Sequence, residues 1–214
     1  MAEVLDVAHG LGGELVLRRE GAVLEVIENG VFLMDTRNGE SERLLVTGAA
    51  DLLAPGARVL IGGLGVGFSL RAALDHPHVG SVVVVEREPA VIAWNRTGPL
   101  REVHGAALEN HRVSLVEADL VSWLHSSGET FDALCLDIDN GPEWTVTDGN
   151  TSLYGESGVD GLARLLRPGG VLAIWSAGAS PAFTDRLRGH FADVRVVEVP
   201  VPRGEPDVLW FARC

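Results

Sequence analysis

No lysine occurs in the 214-residue sequence, so all 17 basic side chains are arginine. That absence excludes a Walker A lysine for nucleoside triphosphates, a Schiff-base lysine for pyridoxal phosphate and a kinase lysine. Cysteine is almost absent as well. Cys135 lies inside the apolar run Ala133-Leu-Cys-Leu136 and Cys214 is the last residue, which suggests neither a disulfide framework nor a zinc site. No stretch approaches the roughly 18 apolar residues of a membrane span, and no basic region precedes an apolar one at the N-terminus, so a cytoplasmic protein without a membrane partner is expected. Positive charge is scarce: the net charge is −13 and the pI near 4.9. That argues against a nucleic-acid partner, whose phosphates need a basic footprint. A cationic small molecule is weakly attracted instead, although solubility alone accounts for most of those charges equally well.

What the sequence does contain is a regular alternation of apolar strands and helices. Short strands are expected at Glu14–Leu17, Val23–Ile27 and Val31–Met34, with Asn29-Gly30 as a hairpin turn. A helix follows from about Glu42 to Leu53, with Ser41 as its cap and Pro55-Gly56 closing it. Strands at 58–61, 81–86, 112–117, 132–137 and 171–175 then alternate with helices at 67–75, 89–95, 119–125, 155–166 and 182–190. Two last strands fall near 193–199 and 207–212. Alternation of this kind implies an α/β fold with a parallel sheet covered on both faces. A division into a small N-terminal β piece with its helix, 1–53, and a larger domain, 54–214, is expected.

The most informative stretch is Arg58-Val-Leu-Ile-Gly-Gly-Leu-Gly-Val-Gly-Phe-Ser-Leu-Arg71, followed by Ser81-Val-Val-Val-Val-Glu86. An apolar strand enters a glycine turn that opens a helix, and the next strand ends in a carboxylate. In an open α/β sheet this arrangement makes a nucleotide crevice, with glycines admitting the ligand and the carboxylate accepting from ribose hydroxyls. A dinucleotide fingerprint requires a small third residue, and Phe68 stands there instead. The observed Gly63-x-Gly65-x-Gly67 is the form found in S-adenosylmethionine-dependent transferases.

Five segments, Ile61-Gly-Gly-Leu-Gly-Val-Gly67, Val83-Val-Val-Glu-Arg-Glu-Pro89, Val116-Glu-Ala-Asp119, Phe131-Asp-Ala-Leu-Cys-Leu-Asp137 and Leu165-Leu-Arg-Pro-Gly-Gly-Val171, come in the order found in spermidine synthases. The sequence resembles that family over about residues 14–176. The resemblance implies a Rossmann-like, seven-stranded class I methyltransferase sheet with a small N-terminal β-hairpin or meander. It also implies that Glu86 binds a ribose, that Asp119 binds an adenine amino group and that Asp137 is a base at the tip of the fourth strand. The family's dimers and tetramers imply a homodimer as the assembly to test. Three departures accompany the resemblance. Gly65 stands where the family carries an acidic residue, the amine-gripping N-terminal signature is reduced to Gly39-Glu-Ser-Glu-Arg-Leu-Leu45, and the post-strand loop reads Asp137-Ile-Asp139-Asn-Gly-Pro142.

Candidate donor contacts are therefore Gly62, Gly63, Gly65, Gly67, Glu86, Arg87, Asp119, Leu120 and Asp137, and the donor is S-adenosylmethionine or its decarboxylated form, with no metal. Asp137 and Asp139 are two residues apart, so in extended backbone they point the same way at a strand's C-terminal end. Two close carboxylates raise one another's pKa toward a range useful for deprotonating an amine; the segment also reads as a plain turn. Asn140, Trp144 and Tyr154 are candidates for the acceptor side, although packing of that loop onto the core explains the two aromatics as well. Trp94, Trp123, Trp175 and Trp210 are expected in the core. The loss of amine-gripping acids favours methyl transfer to a small-molecule nucleophile. Aminopropyl transfer to a diamine and a non-catalytic nucleotide-binding role are the alternatives.

Overall fold

The computed structural model describes residues 2–138, 140–143, 145, 148–202 and 204–214. The chain begins with a four-stranded antiparallel meander, β1 (Glu3–His9), β2 (Glu14–Glu20), β3 (Val23–Glu28) and β4 (Val31–Asp35), in that order. The Asn29-Gly30 turn joins β3 to β4 with both residues at positive φ, as a tight hairpin requires. Strand β1 was not expected from the sequence. Its residues are mostly exposed, so no clean alternation of apolar and polar positions marks it.

Helix α1 (Glu40–Ala50) follows, and here one expectation is corrected. Ser41 is not the cap: Gly39 is, at φ 112°, and Ser41 sits inside the first turn. Only glycine adopts that backbone without strain, and a Cβ on Gly39 would also collide with the Phe68 ring. Phe68 thus opens the next helix by packing on α1 rather than on the strand, which is why a bulky residue is tolerated there.

Seven strands make the main sheet, in the order β10-β11-β9-β8-β5-β6-β7. They are β5 (Ala57–Gly62), β6 (Val79–Glu86), β7 (Val113–Glu117), β8 (Phe131–Leu136), β9 (Leu166–Ser176), β10 (Asp193–Val199) and β11 (Asp207–Arg213). Strands β5 to β9 are parallel, and β11 runs antiparallel to both β9 and β10. The Rossmann-like α/β architecture is therefore as the sequence implied. Strand β9 starts earlier than expected and takes in Arg167-Pro-Gly-Gly170.

The two faces of the sheet bury separate apolar clusters. One face, with Val59, Ile61, Cys135, Ala173 and Leu209, is covered by α1, α2 (Phe68–Asp75) and α3 (Pro89–Arg96), and Leu15, Leu17 and Val26 of the meander join that cluster. The opposite face carries α5 (Leu120–Ser126), α7 (Glu156–Leu165) and α8 (Pro181–His190). Two short helices, α4 (Arg101–His104) and α6 (Thr151–Tyr154), fill connections. Asp119 and Ser180 cap α5 and α8 by accepting from Ser122 and Phe183 backbone N–H groups, as their residue types favour. Among the described residues no helix is long and apolar enough to cross a membrane.

Candidate active site

The strand order reverses between β5 and β8, and in open α/β sheets ligands bind at such a point, beyond the C-terminal strand ends. A cleft of about 1210 Å³ opens there. Gly63, Gly65, Gly67, Glu86, Arg87, Asp119, Leu120, Asp137 and Asn140 all line it, so most of the sequence candidates converge. A smaller hollow of about 360 Å³, by Pro55 and Arg167 at the N-terminal strand ends, contains none of them.

The glycine loop is shaped by backbone need. Gly63, Gly65 and Gly67 have φ of 88°, 53° and 94°, conformations that side chains rarely adopt. A Cβ on Gly63 would lie 2.5 Å from the Asp137 carbonyl oxygen, so glycine there also lets the loop meet the end of β8. Gly62 does not line the cleft; it lies behind it, where a side chain would strike Leu120 and Leu136.

Glu86 is buried and holds the loop directly. The Leu64 N–H donates to its Oε2 at 2.8 Å, and the Glu88 N–H donates to its Oε1 at 2.8 Å. Burial raises its pKa, and those backbone donors oppose the rise. Asp119 is the opposite case. The Ser122 N–H, donating to Oδ1 at 2.9 Å, leads in lowering its pKa. Both carboxylates retain acceptor capacity toward the cleft, since each oxygen has two lone pairs.

Asp137 follows the last residue of β8 and lines the cleft; its N–H donates to the Gly62 carbonyl at 3.1 Å. Its pKa is pushed up to about 8, first by burial and then by the charges of Glu42 and Asp207. A raised carboxylate at this strand end was expected, and Glu42 and Asp207 contribute to the rise. Asp139, the expected partner, lies outside the described residues, as does Trp144.

Tyr154 does not reach the cleft. It is buried against Phe183, with ring centroids 5.6 Å apart, in the cluster on the other face. Trp175, expected in the core, packs against the apolar cluster on the α1 face and also lines the cleft. Sequence reasoning also missed Glu42 and Asp207, which line the same cavity. The acidic Gly39–Leu45 segment was a readable signal for Glu42. Nothing in the sequence marked Asp207, whose position depends on how β11 pairs.

These features define an α/β protein of Rossmann-like, class I methyltransferase-type architecture with an acid-lined ligand cleft. The chain belongs to the spermine/spermidine synthase domain family, whose model matches residues 39–187. The polyamine aminopropyltransferase of Mycobacterium tuberculosis strain H37Rv is 33% identical over 177 residues, covering 80% of this chain and 32% of its own length. The polyamine aminopropyltransferase 1 of Streptomyces coelicolor is 33% identical over 136 residues, 63% of this chain and 24% of its own. The chain thus spans about a third or less of the length of these curated relatives. Among solved structures, a spermidine synthase in complex with the transition state analogue AdoDATO gives a TM-score of 0.78 at 18% identity, covering 98% of this chain and 73% of that one. Spermidine synthase from Thermotoga maritima gives 0.75 at 18%, covering 98% and 72%. At that identity the likeness is one of fold. The preference for methyl transfer is overturned, because the matching family and the named relatives are those of aminopropyl transfer.

Proposed function

We propose that the chain transfers an aminopropyl group from decarboxylated S-adenosylmethionine to an amine. The observation that carries this reading is Asp137, a cleft-lining carboxylate of raised pKa facing two further carboxylates. An intact donor would bring its own carboxylate into this acid-lined cleft, and like charge disfavours it. Of the arginines lining the cleft, Arg37 pairs with Glu25 and Asp35, and Arg87 lies 3.5 Å from Glu88. In this reading residues 54–214 hold the donor and residues 1–53 wall the acceptor side through Phe32, Met34 and Glu42.

The cradle suits an adenosyl group. Glu86 accepts from ribose hydroxyls and Asp119 from the adenine amino group, while Gly65, which a Cβ would leave with only Met34 nearby at 3.7 Å, gives open space for the tail. The donor supplies a carbon bound to a positively charged sulfur. Asp137 takes a proton from the ammonium of the acceptor, the freed nitrogen forms a bond to that carbon, and the carbon–sulfur bond breaks with its electron pair going to sulfur. The leaving thioether, methylthioadenosine, is neutral, so no general acid is needed, and positioning does most of the remaining work. A base of pKa about 8 is better matched to an ammonium than an ordinary carboxylate.

The test is turnover with each donor and putrescine, following methylthioadenosine release. Transfer from the decarboxylated donor and none from the intact one is expected; the reverse overturns the reading. Asp137→Asn should reduce turnover by about a hundredfold or more while methylthioadenosine affinity stays within about tenfold. Unchanged turnover removes Asp137 from the base role.

A further inference from the structure

The glycine loop of the donor cradle has two sides. Toward the cleft, Glu86 holds the Leu64 N–H. Behind the loop stand two polar side chains that the mechanism above leaves unused, Asn95 on the last turn of α3 and His104 at the end of α4. Both are fully buried and neither lines the cleft. Asn95 Nδ2 donates to the Gly65 carbonyl and to the Val91 carbonyl, each at 2.9 Å, so the amide ties the middle of the loop to α3. Its orientation is fixed, because a flipped amide would set an oxygen against both carbonyls.

A Cβ on Gly67 would meet His104 Cδ2 at 2.5 Å and Asn95 Oδ1 at 3.3 Å, so the two side chains share one spot behind the loop, within about 6 Å of each other. That spot is polar and its hydrogen bonds are not made. Of the four buried side-chain polar atoms without a partner among the described residues, three are Asn95 Oδ1 and the two ring nitrogens of His104. Burial first, and then the charges of Arg101 on its own helix and Arg71 on α2, hold the His104 pKa below its ordinary value of 6.5. The Asn95 backbone carbonyl opposes them without accepting from the ring, and both arginines are already paired, Arg101 with Glu109 and Arg71 with Asp75. The ring is therefore neutral at pH 7, with one N–H to give. A leucine would fill the same place and strand no polar atom, so packing alone does not account for a histidine here. The loop above the pair turns on Gly65 and Gly67, whose backbones are permissive, and a ligand that presses on such a loop can close a bond left open beneath it.

We propose that His104 is a positioning residue for the donor: when the adenosyl ligand settles on the glycine loop, the His104 ring N–H closes on Asn95 Oδ1 and locks the turn from Gly65 to Gly67. His104 acts through Asn95 and touches neither donor nor acceptor. The bond braces the amide that already holds the Gly65 carbonyl, so the loop is fixed from behind by Asn95 as it is from the front by Glu86. The brace rests on the donor half of the proposed function, an adenosyl group at this loop, and is independent of which amine accepts.

The decisive measurement is the NMR signal of the His104 ring N–H in the wild-type protein, assigned by its loss in His104→Gln, with and without saturating methylthioadenosine. The proton should move downfield and exchange more slowly with solvent when the nucleoside binds. Binding with an unchanged signal overturns the brace and leaves the donor reading standing; no binding at all removes the donor reading and the brace with it. Variants separate the hydrogen bond from packing. By calorimetry, His104→Leu should weaken methylthioadenosine by about tenfold while Tm holds or rises, because two stranded nitrogens are gone. His104→Gln keeps an N–H and should bind within about threefold of wild type. A role in packing alone makes affinity follow Tm, so leucine binding as well as wild type, or glutamine and leucine weakening the ligand alike, overturns the proposal. Should His104→Leu not fold, the wild-type signal and His104→Gln decide.

Discussion

At the scale of single residues, the same amino acid serves opposite ends in this cleft. Asp119 is held ionised by a helix N-terminus, whereas Asp137 is pushed toward its neutral form by burial and by Glu42 and Asp207. The raised value has two consequences. For catalysis, the rate with an amine should climb with pH through about 8 as Asp137 ionises, and Glu42→Gln or Asp207→Asn should move that limb to lower pH by removing a like charge. A pH profile of kcat/KM unchanged in both variants would contradict the assignment. For stability the sign runs the other way. A carboxyl whose folded pKa is raised favours the fold below its ordinary pKa of 3.8, and that advantage is lost as pH rises through about 8. Asp137→Asn should therefore be more stable than the wild type at pH 9, by several degrees in Tm, with little difference near pH 4. Equal Tm differences at both pH values would show that burial of Asp137 carries no ionisation penalty.

Glu86, Asp119 and Asp137 were legible in the sequence because each stands at a fixed offset from an apolar strand, and strand tips are where such sheets bind ligands. Asp207 and Trp175 were not legible. Their places at the cleft arise from β11 folding back antiparallel beside β9, a pairing between segments far apart in sequence that no local pattern announces. Tyr154 illustrates the converse error. An aromatic residue near an active loop looked like a pocket wall, yet the helix it ends turns it into the apolar cluster with Phe183 and Trp210.

At the scale of elements, α1 joins the core to the acid-lined end of the cleft. Its C-terminal half buries Leu45, Val46, Ala49 and Ala50, and Gly48 allows the Phe211 ring to approach closely. Its N-terminal turn carries Glu40, Ser41 and Glu42, and acids are favoured there by the helix dipole. The angle at which that turn meets the cleft is set by Gly39. Gly39→Ala should cost about 1–3 kcal/mol, from the positive φ and from the clash with Phe68, and should raise the KM for a diamine more than it lowers kcat. Urea unfolding and steady-state kinetics read the two effects; an unaltered KM would mean that α1 does not set the position of Glu42. The parallel strands were legible because both faces are buried and their apolar runs are continuous. The cap of α1 was misassigned because Ser41 has the residue type of a cap, while the backbone turn one step earlier needed glycine.

At the scale of the whole molecule, 30 acidic side chains face 17 arginines, giving a net charge of −13. A field of that sign raises the local concentration of a dication more than of a monocation, and exposed charges are screened within about 10 Å at 0.1 M salt. The acid-lined cleft and the outer field both favour a cation but differ in their response to salt. Close, half-buried pairs are screened weakly; steering across the surface is screened strongly. Raising sodium chloride from about 0.02 to about 0.5 M should lower kcat/KM for putrescine several-fold, affect 1-aminobutane less, and leave methylthioadenosine binding nearly unchanged because that nucleoside is neutral. In Asp207→Asn the putrescine curve should start lower yet fall with almost the same slope, since one charge in thirteen contributes little to the long-range field. A slope that disappears with Asp207 would instead place the whole electrostatic effect inside the cleft and leave the acidity of the outer surface to solubility alone.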